Sequence, residues 1–184
     1  HTHTLYSHGE GRIKDNIEQA LNDQLNMELY SAYIYQAMAA QAAEDGLNGL
    51  ENWMSAQAEE EVFHASKIYN YINEQGGRVE LQAIDKPPKE FDSMKDMFEQ
   101  ALDHEKSVTK SINELVDLAQ ENNDHATEIF LDWFVTEQVE EEENVNEILD
   151  KLEMIGDSSS ALYMFDKELA QRNFSGGQDS EEGE

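Results

Sequence analysis

Cysteine is absent from the 184 residues, and proline (two) and glycine (ten) are scarce. Without thiols there is no disulfide, no thiolate zinc site and no iron–sulfur ligation, while the redox compartment stays open. Few prolines and glycines leave little to interrupt long helices, so an all-α chain is expected over one of many short strands. Long apolar runs are also missing. None approaches the roughly 20 residues that span a bilayer, and the opening "HTHTLYSHGEGRIKD" has no apolar signal-peptide core, so no membrane partner and a cytoplasmic location are expected. Basic residues are few: 12 Lys and Arg against 41 Asp and Glu, a net charge of −29. Such a chain repels nucleic acid and anionic membranes. Most of the surplus reads as a solvated acidic surface of the halophilic kind, and the remainder as cation handling. The His-Glu-x-x-His signature of a hydrolytic zinc site is lacking too, since His104-Glu105 is followed by Lys106-Ser107-Val108.

What the chain does have is helical periodicity. The length fits one domain, spanning 14–174, between a flexible segment at 1–13 and a disordered acidic tail at 175–184. Four long helical segments are predicted, near 14–43, 47–75, 93–120 and 125–155, with a short fifth near 161–172. Asp45-Gly46, Gly76-Gly77, "ENND" and "GDSSS" act as stops, and Ser93 is a good N-cap. The one long connection, "GGRVELQAIDKPPKEFDS", holds both prolines. Short, long and short connections describe a four-helix bundle with one long crossover between helices 2 and 3, and the fifth helix is expected to cap it or serve assembly.

Each inward stripe is interrupted near its middle by an acid. On the first helix Glu28 follows Ile17, Leu21 and Leu25 and precedes Ala32 and Tyr35. On the second the series runs Trp53, Gln57, Glu61, His64, Ile68, Tyr71. Glu105 sits among Met94, Phe98, Ala101, Val108, Ile112 and Leu115, and Glu137 and Glu141 among Phe130, Phe134, Val145, Ile148 and Leu152. An unpaired buried carboxylate costs several kcal/mol, more than a domain of about 5–15 kcal/mol net stability can absorb several times over. Protonation is one remedy. Basic partners are another, but the stripes carry no Lys or Arg at this level. Multivalent cations fit best, because glutamate oxygens with one imidazole suit iron or manganese. Glu61 and His64, three apart, share a helical face and can reach one ion. His104 and His125 are isolated, and the seven methionines read as packing.

The segments "NDQLNMELYSAYIYQ", "QAEEEVFHASK", "DHEKSVTKSINEL", "DWFVTEQVEEEENV" and "ALYMFDKEL" resemble the non-haem ferritins of bacteria and archaea, in order and in spacing, over roughly 14–174. The resemblance implies a ferritin-like bundle and a homo-oligomeric shell of twenty-four subunits. Such a shell oxidises Fe(II) with dioxygen or peroxide and stores ferric mineral inside. It also implies that Glu28, Glu61 and His64 hold a first iron. Glu61 would bridge to a second iron held by Glu105 and Glu141 with Gln138 beside it. Tyr35 and Trp133 match aromatic neighbours of the site, and Glu60, Glu137 and Glu140, with Glu141 shared, match a third iron site. Gln138-x-x-Glu141 replaces the second Glu-x-x-His of bacterioferritins, which leaves the second iron without an imidazole. Val62 stands where those proteins carry the haem-ligating methionine, so no haem is expected. The rivals are a di-iron redox enzyme, a DNA-protecting mini-ferritin and an acidic helical scaffold without activity. The rubrerythrin kind of redox enzyme is disfavoured by the missing cysteines. The mini-ferritin is disfavoured because one chain here supplies the whole ligand set.

Overall fold

In the computed structural model, residues 12–174 are described, and among them all regular structure is helical. The elements are α1 Asp15–Glu44, α2 Asn48–Glu74, α3 Met94–Glu121, α4 His125–Ile155 and α5 Ser159–Leu169. The two terminal segments expected to be flexible or disordered lie largely outside the described residues. Of these, Arg12 and Ile13 are described and tied down: Ile13 N–H donates to the Gln75 carbonyl at 2.9 Å, and Arg12 pairs with Glu18 at 2.9 Å.

Helix ends follow local chemistry. Ser93, Asp124 and Ser158 each accept a backbone N–H from the first turn of α3, α4 and α5, which satisfies donors the helix cannot. Gly76 takes φ +74° just beyond α2, a left-handed turn that a side chain would oppose. Cap geometry also moves the fifth helix from its expected range. Ser158 starts it two residues early, and it stops at Leu169, so Arg172 lies beyond it.

The crossover traverses the bundle alongside α1. Glu18 accepts from Arg78 N–H, and Asn22 engages both the Arg78 carbonyl and Glu80 N–H. Gln41, at the other end of α1, brackets the Phe91 backbone at 2.6 and 2.7 Å. Asn22 and Gln41 are about 28 Å apart along a helix rising 1.5 Å per residue. The connection therefore returns to the end where α2 began, and α3 runs parallel to α2, as expected for this bundle.

The apolar core is split in two. One cluster gathers Tyr35, Met38, Leu50, Met54, Phe98 and Val145, and α5 adds Phe165 and Leu169 to it. The other gathers Ile17, Leu21, Ile68, Ile72, Ile112 and Leu131. Between them runs a buried polar layer, and the functional candidates are in it.

Candidate metal centre

All four long helices contribute to that layer: Glu28 from α1, Glu61 and His64 from α2, Glu105 from α3, and Gln138 and Glu141 from α4. Glu28, Glu61, His64 and Glu105 are wholly buried, and Glu141 retains 8% exposure. The sequence stripes hold on α1, α2 and α3. On α4 they turn slightly: Gln138 points into the core and Glu137, assigned to the inward stripe, is half-buried at its edge.

Half of the layer is tied by hydrogen bonds. Tyr35 hydroxyl donates to Glu105 Oε1 at 2.6 Å, and Gln138 Nε2 to Glu105 Oε2 at 3.1 Å. Gln57 Nε2 donates to both Glu61 Oε1 (3.0 Å) and Glu141 Oε2 (2.8 Å). Gln24 Nε2 donates to Glu28 Oε1 at 3.1 Å. The other half is not tied. Glu28 Oε2, Glu61 Oε2 and both ring nitrogens of His64 are buried without a hydrogen bond. Buried polar atoms normally find partners, and each orphan costs about 1–3 kcal/mol. These orphans converge: His64 Nδ1 lies 3.3 Å from Glu61 Oε2 and 3.6 Å from Glu28 Oε2.

Among the described residues, three groups have the geometry to hold an ion, with donor atoms all within 4.8 Å of one another: Glu28, Glu61 and His64; Glu61, Glu105 and Glu141; and His64, Glu137 and Glu141. Glu61 belongs to the first two, His64 to the first and third, and Glu141 to the last two. Oxygen donors with one imidazole suit iron and manganese.

The electrostatics agree. Burial, then the charge of Glu61, raises the Glu105 carboxyl to about 7. Burial, then Glu105 and Glu61, lifts Glu141 well above the carboxylate range. Burial raises Glu61, partly offset by His64. For His64 burial works downward, yet Glu61 and Glu28 outweigh it and hold the imidazole well above its ordinary value. Burial, then Glu105, pushes the Tyr35 phenol well up, so it stays a neutral donor. Burial and mutual repulsion thus favour the protonated forms of these carboxyls when no ion offsets their charge.

The family model of the ferritin-like domain matches residues 18–155. The chain belongs to that family. It is 42% identical over 162 residues to the bacterial non-heme ferritin of Staphylococcus aureus, covering 88% of this chain and 98% of that protein. It is 44% identical over 162 residues to the bacterial non-heme ferritin of Staphylococcus haemolyticus, with the same coverage. Among solved structures it resembles the open pore ferritin of the archaeon Archaeoglobus fulgidus, with TM-score 0.87 and 46% identity over 88% of this chain and 98% of that one. An engineered closed form of the Archaeoglobus ferritin gives TM-score 0.87 and 47% identity over 88% and 99%. The family read from the motifs is the family found.

Within this ferritin-like bundle, the residues assigned to the first and second irons come together in one layer. Of the third set, Glu60 is buried, Glu137 joins the group with His64 and Glu141, and Glu140 faces solvent. Trp133 packs edge-on against the His64 ring, centroids 5.2 Å apart. His104, set aside as isolated, shares a hydrogen bond with buried Ser31.

Gln24 and Arg172 were missed, and Gln57, read on the inward stripe, was given no role. Gln24 and Gln57 each lie four residues before a layer glutamate, on the same face, a spacing that marks them as its hydrogen-bond donors. The stripes carry no Lys or Arg at this level, as read, but Arg172 reaches it from another part of the chain. It comes from beyond α5, which no stripe on the long helices announces, and donates to Gln57 Oε1 at 2.6 Å.

Proposed function

We propose that this chain is the subunit of an iron-storing ferritin. It takes two Fe(II) ions into the buried layer, oxidises them, and passes the ferric product to the interior of a homo-oligomeric cage. The carrying observation is the convergence of the orphaned atoms of Glu28, Glu61 and His64 in a layer that belongs to no apolar core. An acidic scaffold would turn these carboxylates to water, which favours the ferritin reading over that rival.

In this reading Glu28, Glu61 and His64 bind the first Fe(II). Glu61, Glu105 and Glu141 bind the second, with Gln138 beside it, and Glu60, Glu137, Glu140 and Glu141 form a third iron site. Incoming Fe(II) displaces the protons that His64, Glu105 and Glu141 hold, so loading releases protons. Each iron then gives one electron to a shared oxidant, dioxygen or peroxide. Hard carboxylate oxygens favour the ferric charge that results. The second position depends on Glu105, whose two oxygens are already engaged by Tyr35 and Gln138, so its ion has to compete with them. That suits a site which hands product on.

Large apolar side chains stay exposed on the long helices, among them Tyr33, Val62, Ile129, Val139 and Met154, which supports burial against further copies of the chain. No helix among the described residues is long and apolar enough to cross a membrane. The test is aerobic addition of Fe(II) with absorbance and particle mass followed in one sample. Rapid oxidation with iron retained in a large particle is expected. Oxidation no faster than in buffer, or iron left outside the particle, overturns the reading.

A further inference from the structure

The segment after α5 is built onto α2 beside the layer. Asp166 accepts the N–H groups of Gly49 and Leu50 at 3.0 and 2.8 Å, which docks α5 on the first turn of α2. Asn52 Nδ2 then donates to the carbonyls of Ala170 (3.2 Å) and Arg172 (2.8 Å), which fixes the backbone where α5 has ended. The Arg172 guanidinium lies over the Trp53 ring, 4.2 Å from its centroid, and Nη2 donates to Gln57 Oε1. Its Nη1 is buried without a hydrogen bond. Solvent would serve that guanidinium better, so its neighbours must offset the loss.

A glutamine amide can present either end. In this layer the difference decides whether Glu61 and Glu141 meet an N–H or an oxygen. With Oε1 engaged by Arg172, Nε2 is turned to the carboxylates and bonds both. Each then keeps its other oxygen for an ion. We propose that Arg172 is a positioning residue for the second metal position. It locks the Gln57 amide as the donor that joins Glu61 to Glu141, and the docked end of the chain thereby sets that position's affinity. The proposal rests on the layer being a metal site and touches no ligand directly.

The test is an anaerobic Co(II) titration of the metal-free full chain, followed by visible absorption, with thermal unfolding measured alongside. In the unaltered protein two binding steps are expected. Arg172→Met and Gln57→Met should each weaken the second step by about tenfold, the lower end of what removing a ligand's supporting partner costs, and weaken the first, which shares Glu61, by less. The double variant should lose no more than either single one. Arg172→Lys, which keeps a donor and a charge, should recover most of the loss. Gln57→Met leaves the α5 contacts intact, so it serves if Arg172→Met fails to fold.

A second step unchanged in Arg172→Met, with unfolding at a lower temperature, makes Arg172 only a clamp and overturns the proposal. A tightened second step makes it a repelling charge, which also overturns it. Additive losses in the double variant sink the relay. If the unaltered protein binds no Co(II) in the layer, the metal-site reading itself falls. Two steps in the parent that the variants leave unmoved defeat the positioning role alone.

Discussion

At the scale of single residues, the layer combines groups that are costly to bury without an ion, and Glu61 carries most of the consequence. Its Oε1 is held by Gln57, and its Oε2 is orphaned beside His64. Glu61→Ala removes a donor from both ion positions, so the initial rate of Fe(II) oxidation should fall by about a hundredfold, measured by stopped-flow absorbance. A rate like the unaltered protein's would refute the bridging role. Glu141→Gln tests burial from the other side. Glu141 and Glu105 are acids whose folded-state pKa values are raised, so the native state holds protons that the unfolded chain gives up. Their stabilising contribution is full below the unfolded carboxyl value and is lost as pH rises, through about 7 for Glu105. His64, also raised, acts in the same direction at higher pH. The metal-free protein should therefore lose stability between weakly acidic and alkaline pH, by about 1.4 kcal/mol per unit for each group while it titrates. Glu141→Gln should flatten that slope and raise the neutral-pH melting temperature, by about 2–4 °C for each kcal/mol recovered. A lower melting temperature would mean the carboxylate is already compensated. The acids themselves were legible because each breaks an apolar stripe. Arg172 was not, because its partner Gln57 lies 115 positions away and no local pattern encodes that distance.

At the scale of elements, α1 to α4 were readable to within a residue or two, because their stripes are long and their ends carry glycine or capping residues. The crossover was readable as a length, and its route along α1 was not, since Asn22 and Gln41 look like ordinary polar positions until they meet Arg78, Glu80 and Phe91. α5 is the element most open to test. Gly49 faces its backbone so closely that an added Cβ would stand 1.6 Å from the Asp166 carbonyl oxygen. Gly49→Ala must therefore displace α5, at a cost of about 1–3 kcal/mol typical of overpacking. Asp166→Ala removes the acceptors of two α2 N–H groups and should cost about 1 kcal/mol, as a lost helix cap does. Thermal unfolding together with limited proteolysis checks both. Cleavage near 159–172 should rise more in Gly49→Ala than in Asp166→Ala, while the four long helices stay resistant. Equal resistance in all three proteins would show that α5 is held by Phe165 and Leu169 in the core and not by its fit to α2.

At the scale of the whole molecule, the buried layer holds few of the 41 acids, and among the described residues most of the others, unlike buried Glu60 and Asp166, are at least partly exposed. On α4 alone Glu140, Glu143, Glu147 and Asp150 are exposed. Copies that assemble must bring chains of net charge −29 together, against a repulsion that reaches about 30 Å at 0.01 M salt and about 3 Å at 1 M. The same field attracts Fe(II). Added monovalent salt should consequently act in opposite senses on two observables. Particle mass, read by light scattering, should rise with salt as subunits cease to repel one another. The initial oxidation rate per assembled particle should fall over the same range, because screening removes the attraction that concentrates the cation. A particle intact at 0.01 M salt would mean that contacts between copies, or bound counterions, already neutralise the surface. A rate indifferent to salt would mean that Fe(II) enters by a path the acidic surface does not govern. Both results together would leave the surplus charge to solubility alone and confine cation handling to the buried layer.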